Sequence, residues 1–203
     1  MKLLFSILAA VFFFSASAYA QDVNLGVIRA EAQKIPVTVF DISDEAGMKG
    51  LKDIARDVLN ADLRRTQLFY LVDVEKLGID IKVNSEPSKE VIKKMGSFGV
   101  SAAVWARLSL KGKELVLEGN LYDGVSGDNV MNKRYFGSEQ LLRNMVHRFV
   151  DEIMLRYSGA KGIAGTRIAF VSDRSGDKEI YLMDYDGSNP KKITADRAIK
   201  LSP

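Results

Sequence analysis

The sequence predicts an α/β (α+β) domain, a mixed sheet with two main helices, followed by the opening strands of a separate all-β unit. Three observations carry this reading. Between residues 35 and 158, strand-like runs alternate with two apolar stripes at helical spacing, which is the pattern of a sheet covered by helices. Val100 to Tyr122 reads as two period-two strands around Lys111-Gly112-Lys113, an antiparallel hairpin. From Thr166 onward the helical periodicity stops, and short strands separated by Gly-containing turns take over.

Met1 and Lys2 form a short positive region, and Leu3 to Phe14 is an apolar run of 12 residues. Ser15 to Ala20 then ends in Ala18-Tyr19-Ala20, so the start reads as a secretory signal, residues 1–20, with cleavage between Ala20 and Gln21. A spanning helix needs about 20 apolar residues, more than this run supplies. There is no cysteine among the 203 residues. A lipid-modified cysteine at the cleavage site is thereby excluded, and no disulfide supports the fold. An oxidising compartment permits disulfides without requiring them.

Removing the signal deletes one lysine and no acid, so the formal net charge falls from +3 to +2. No block of five like charges occurs, and near neutrality argues against nucleic acid as a partner. The remaining length fits one domain of about 100 to 150 residues with some chain left over.

In the stretch 21–34, Val23, Leu25 and Val27 alternate with Asp22, Asn24 and Gly26. By itself this is an edge strand or a frayed terminus, amphipathic enough to add to another sheet edge. Ile35 to Ile42 is rich in β-branched residues and apolar on both parities, so a strand covered on both faces is expected, with Pro36 near its start. Ser43-Asp44-Glu45 is read as the cap and first turn of a helix whose stripe comprises Met48, Leu51, Ile54, Ala55, Val58 and Leu59. The opposite face, with Lys49, Lys52, Asp53, Arg56 and Asp57, is a mixed-charge solvated surface. Leu68 to Val74 is the next strand.

A less regular stretch then leads to a short helical run with Val91, Ile92 and Met95, in which Pro87 suits the first turn. After the hairpin, Asn129 to Phe136 is a further strand. A helix from Ser138 to Tyr157 follows, with Leu142, Met145, Val146, Phe149 and Ile153 facing one side. His147, the one histidine in the chain, lies at the edge of this stripe and reads as an exposed or half-buried structural residue.

Gly159 to Gly165 is a linker. Beyond it Ile168 and Phe170 alternate with Ala169 and Val171, Ile180 and Leu182 alternate with Tyr181 and Met183, and Asp186-Gly187 supplies the positive φ of a tight turn. Three such strands leave an apolar face and open edges without neighbours stacked on them. The run from Arg167 to Thr194, RIAFVSDRSGDKEIYLMDYDGSNPKKIT, resembles the repeat of TolB-type β-propellers. The order of parts, signal, α/β domain and the junction Gly159 to Ala169, narrows the resemblance to the TolB family. It implies that residues 166–203 are the start of an incomplete β-propeller blade, ending at Leu201-Ser202-Pro203, where the family's next blade would open. The meander is then expected to be poorly ordered or held by docking on the α/β domain.

The search for reaction chemistry returns little. Gly124-Val125-Ser126-Gly127-Asp128 and Gly99-Val100-Ser101-Ala102-Ala103 each miss the last glycine of a nucleophile elbow. Phosphate and dinucleotide loops are missing from the sequence. With one histidine and no cysteine, a zinc site would lean on carboxylates. The run Asp184 to Asn189, with carboxylates at alternate positions around Gly187, suggests a calcium loop, but Asn189 stands where its glycine belongs and Ala195 where its bidentate glutamate belongs, so a plain turn accounts for them. Trp105 and the phenylalanines read as core, with no aromatic ladder for single-stranded nucleic acid. No cofactor, metal or small-molecule substrate is expected.

The resemblance implies a non-catalytic periplasmic scaffold of the Tol-Pal system, active in outer-membrane integrity and invagination at division. It assigns Asp22, Val23, Asn24, Leu25, Gly26, Val27 and Ile28 to contact with the inner-membrane protein TolA, and the propeller mouth to the peptidoglycan-associated lipoprotein Pal. The other reading is the N-terminal part of a secreted peptidase with a propeller, which would carry a Gly-x-Ser-x-Gly domain further on. N-terminal sequencing of exported material is expected to begin at Gln21, and an unprocessed, membrane-retained product would contradict the signal.

Overall fold

The computed structural model describes residues 33–44, 47–73, 75–79 and 85–195. Six strands form one sheet: β1 (Ile35–Val39), β2 (Ser43–Asp44), β3 (Phe69–Leu71), β4 (Ala102–Lys111), β5 (Glu114–Asp123) and β6 (Asn129–Gly137). Their order is β3-β1-β4-β5-β6, with β2 also alongside β4. β1 runs parallel to β3 and to β4, and β4, β5 and β6 are antiparallel, which makes the sheet mixed. The hairpin has the register its alternation requires: Ala102 opposes Asp123 and Lys111 opposes Glu114.

One face is covered by α1 (Lys49–Arg65) and α3 (Leu142–Ser158). Val37, Leu59, Leu63, Val104, Leu117 and Phe149 are among the residues that pack there. On the other face α2 (Lys89–Ser97) brings Ile92 and Met95 onto Phe40, Ala103, Trp105 and Tyr122. Ala106 opposes Gly119 across β4 and β5. A Cβ at Gly119 would lie 2.5 Å from the Phe149 ring. The missing side chain lets α3 close onto the sheet, with the ring seated where the strands carry least bulk.

Several local expectations change. Ser43 and Asp44 are not a helix cap but a short strand beside Arg107 and Leu108, because burial of Ile42 keeps the chain on the sheet; α1 starts at Lys49 without a side-chain cap bond. Pro87 precedes α2 rather than joining it: Ser88 is the cap, and its hydroxyl accepts from the Val91 amide at 3.4 Å. Ser138 caps only a single 3-10 turn, Glu139–Leu141, before α3 begins. Gly159 ends α3 in the left-handed region, φ 70°, as the Ser158-Gly159 pair suggests. The expected strand from Leu68 shortens to Phe69–Leu71, and Val74 lies outside the described residues. Phe98 and Phe136, read as core, are 55% and 51% exposed.

Lys52, placed on the solvated face, reaches Asp41 at 2.5 Å, and Arg56 lies between Asp53 and Asp57. The Arg56 pairs are exposed and contribute little, about 0–1 kcal/mol each. Burial of the two apolar faces is therefore the main stabilising effect. Gly119→Ala is expected to destabilise the chain by about 1–3 kcal/mol, the usual penalty of forcing an extra methyl group into a packed core. A melting curve checks this, and an unchanged midpoint would show that Phe149 can move aside at no cost.

Candidate functional site

The second sheet comprises β7 (Arg167–Ser175), β8 (Asp177–Asp184) and β9 (Lys191–Lys192), paired in that order and antiparallel. β7 and β8 turn at Gly176, φ 101°, and the turn after β8 uses Gly187, φ 85°. The third strand is shorter than the expected Lys191 to Thr194. Ile193 and Thr194 still donate their amides to the Ile180 carbonyl.

Helix α3 joins this sheet to the α/β domain through residues four apart, Arg143, His147 and Asp151, which fall along one side of the helix. Asp151 accepts the amides of Ala164 at 2.8 Å and Gly165 at 3.0 Å, fixing the linker as it leaves the domain. A Cβ at Gly162 would collide with that carboxylate. One turn earlier, His147 is buried, with Nδ1 2.5 Å from Oδ2 of Asp62 on α1 and Nε2 3.6 Å from Oδ2 of Asp186 in the turn after β8. A carboxylate can only accept, so Nδ1 carries the proton of the bond to Asp62. Arg65 meets the other Asp62 oxygen at 3.1 Å.

Arg143 closes the chain of charges by donating to Asp186 and, at 2.8 Å, to the Ser188 hydroxyl. Burial pushes the Asp186 carboxyl up, but the Ser188 amide and the Arg143 guanidinium outweigh it and hold it below the usual carboxylate range. Two helices and a turn of the second sheet thus share one buried polar network. In a low dielectric such a network is costly to break by removing one member.

The arrangement is a joint rather than a reaction centre. A nucleophile-base pair would place a hydroxyl or thiol on the ring nitrogen opposite Asp62, whereas here that nitrogen faces Asp186. The two carboxylates weighed as calcium ligands are engaged locally. Asp184 accepts from the Asn189 side chain at 2.7 Å, and Asp186 accepts the Ser188 amide at 2.9 Å besides Arg143.

His147 is therefore neither exposed nor half-buried, a correction whose physical reason is the second sheet: the edge of the apolar stripe faces Asp62 and Asp186 instead of water. Sequence reasoning also missed Asp62, Arg143 and Asp151, and read Asp186 only as part of a turn. The available signal was the polar i, i+4, i+8 row on a helix that runs straight into a linker. The residues proposed for cleavage, Ala20 and Gln21, and for partner contact, Asp22, Val23, Asn24, Leu25, Gly26, Val27 and Ile28, lie outside the described residues.

No family model matches the chain. Along its full length it is 30% identical to the Tol-Pal system protein TolB of Syntrophotalea carbinolica, over 207 aligned residues that make up 47% of that protein. It is 42% identical to the Tol-Pal system protein TolB of Geobacter sulfurreducens over 105 residues, 52% of this chain and 24% of that one. The crystal structure of TolB from Acinetobacter baumannii superposes with a TM-score of 0.65 at 18% identity, covering 81% of this chain and 39% of the other.

A mixed α/β sheet with a further antiparallel sheet joined to its last helix is the architecture of an N-terminal domain running into part of a propeller blade. The particular protein that the chain resembles is TolB. It spans about half the length of the curated relative that it matches end to end.

Arg143→Ala is expected to strip Asp186 of its guanidinium, at a local cost of about 3–5 kcal/mol. Amide exchange should then speed up across residues 167–184, while residues 102–121 keep their protection. An equal change in both regions would mean that the network supports the whole domain and not the joint.

Proposed function

We propose that the chain is a non-catalytic periplasmic scaffold of the Tol-Pal system, supporting outer-membrane integrity and invagination during division. The observation that carries this reading is the alignment of the entire chain with a Tol-Pal system protein TolB. A buried charge network spent on holding two sheets together supports it, since a platform between partners depends on a fixed angle between its parts. Among the described residues, no helix is long and apolar enough to cross a membrane.

In this reading residues 1–20 are the export signal, residues 21–34 the partner-binding segment, 35–158 the α/β domain, 159–165 the linker and 166–203 the start of the propeller. Asp22 to Ile28 meet a TolA-like inner-membrane protein, and the lipoprotein Pal is met through the propeller. The experiment is capture of the processed chain on an immobilised TolA-type periplasmic domain, with and without residues 22–28. Capture should vanish on deletion while the thermal unfolding of the remainder stays unchanged. Capture that survives the deletion would overturn the assignment of the segment.

A further inference from the structure

The sheet is covered unevenly. Near β1 its second face is roofed by α2, but toward β6 the side chains of that face meet no helix among the described residues. Read across the strands, this face runs out to β6 in three rows, the first starting from Trp105 beneath α2 and all three ending on exposed side chains of β6. Trp105, Asn120 and Asn132 make the first, Arg107, Glu118 and Arg134 the second, and Ser109, Val116 and Phe136 the third.

Each row has its own chemistry. In the first, the Asn120 side-chain oxygen accepts from Asn132 at 2.7 Å. In the second, Glu118 sits between two guanidiniums, Arg107 at 2.6 Å and Arg134 at 3.1 Å. Burial pushes its carboxyl up, yet Arg107, Asn132 and Arg134 together bring it down to about 2, so the row stays cation, anion, cation. The third row ends on Phe136, which is half exposed with the Lys111 ammonium 5.8 Å from its ring centre.

All three rows stop at β6, which is bonded to β5 on one side and, among the described residues, forms the end of the sheet. A nine-residue edge strand presents a line of backbone donors and acceptors, and natural proteins often guard such an edge with an outward lysine or a proline. β6 contains no proline, and its central Lys133 is drawn to the helix side by Glu152 at 3.3 Å. The one irregularity, at Val130, lies at the start of the strand and leaves Met131 to Gly137 regular.

We infer that β6 accepts an extended segment of a partner protein as a further strand, one whose side chains on the bare face are polar, acidic and apolar opposite Asn132, Arg134 and Phe136. The acid follows from the second row, where an alternation of charge ends on a cation at the edge; a carboxylate opposite Arg134 continues it. An apolar residue opposite Phe136 covers the exposed ring. Backbone bonds to β6 supply affinity, and the alternate side chains supply choice. This goes beyond the scaffold reading above and does not rest on it, since it concerns a different edge of the molecule from the N-terminal segment.

The test is fluorescence anisotropy of the full chain with a short labelled peptide carrying glutamate and phenylalanine at alternate positions, and with its counterpart carrying lysine for glutamate. The glutamate peptide is expected to bind about tenfold tighter, in line with the cost of a like charge placed directly opposite. Arg134→Glu should invert that preference. Phe136→Ala should weaken the glutamate peptide several-fold without moving the melting curve, which keeps the test decisive if the charge reversal disturbs folding. Backbone N-methylation at one set of alternate residues should abolish binding, and at the other set leave it intact. Absence of saturable binding, or equal affinity for the wild type and both variants, would overturn the proposal. So would a dimer in sedimentation velocity that Arg134→Glu dissolves, because the edge would then belong to a second copy of the chain.

Discussion

Helix α3 must satisfy two surfaces with 17 residues, and the rest of the molecule depends on how it divides them. Its apolar side, with Met145, Val146, Phe149 and Ile153, closes the core of the α/β sheet. The row Arg143, His147 and Asp151 is spent on the linker and the second sheet. The two rows lie close together on the helix, so the same rotation about its axis serves both. Seating Phe149 against Gly119 sets that rotation, and the polar row is thereby aimed at Asp62 and Asp186.

The division also explains why charges are tolerated in so dry a place. A lone buried histidine or aspartate would be costly to desolvate, but each member here finds a partner of complementary chemistry on a different element. Asp62 has Arg65 and His147; Asp186 has Arg143 and the Ser188 amide. Removing water from the network strengthens its directional bonds, and these fix an angle between two sheets more sharply than apolar contact would.

Much of the fold was legible in the residues, and the failures have a common cause. The hairpin from Ala102 to Asp123 could be read in register because period-two alternation and the Gly112 turn are local signals. The stripe of α3 was legible for the same reason. Ser43 and Asp44 were misread because cap chemistry is local, whereas burial of Ile42 beneath α1 is decided by distant residues. His147 was misread because a helical wheel shows one apolar side and cannot show that a separate sheet, some 40 residues further along, presents Asp186 to the neighbouring side. Of the candidate site, the carboxylates around Gly187 were visible as a turn, while their partner Arg143 was not. The segment from Asp22 to Ile28 could be picked out only by alternation and resemblance.

The parallel pairing of β1 bears on how the chain reaches this structure. Val37 lies beside Ala102, 65 positions later, and beside Leu71, 34 positions later. The β4-β5 hairpin, by contrast, closes over neighbours in sequence, so it can form while β1 is still unpaired. Synthesis delivers β1 first, yet the strand that must receive it comes late. For that interval Val37 can have Leu71 on one side but not Ala102 on the other, and Val39 waits for Val104. The strand between β3 and β4 thus waits on chain made much later, and its pairings close long loops, the kind of contact that slows folding.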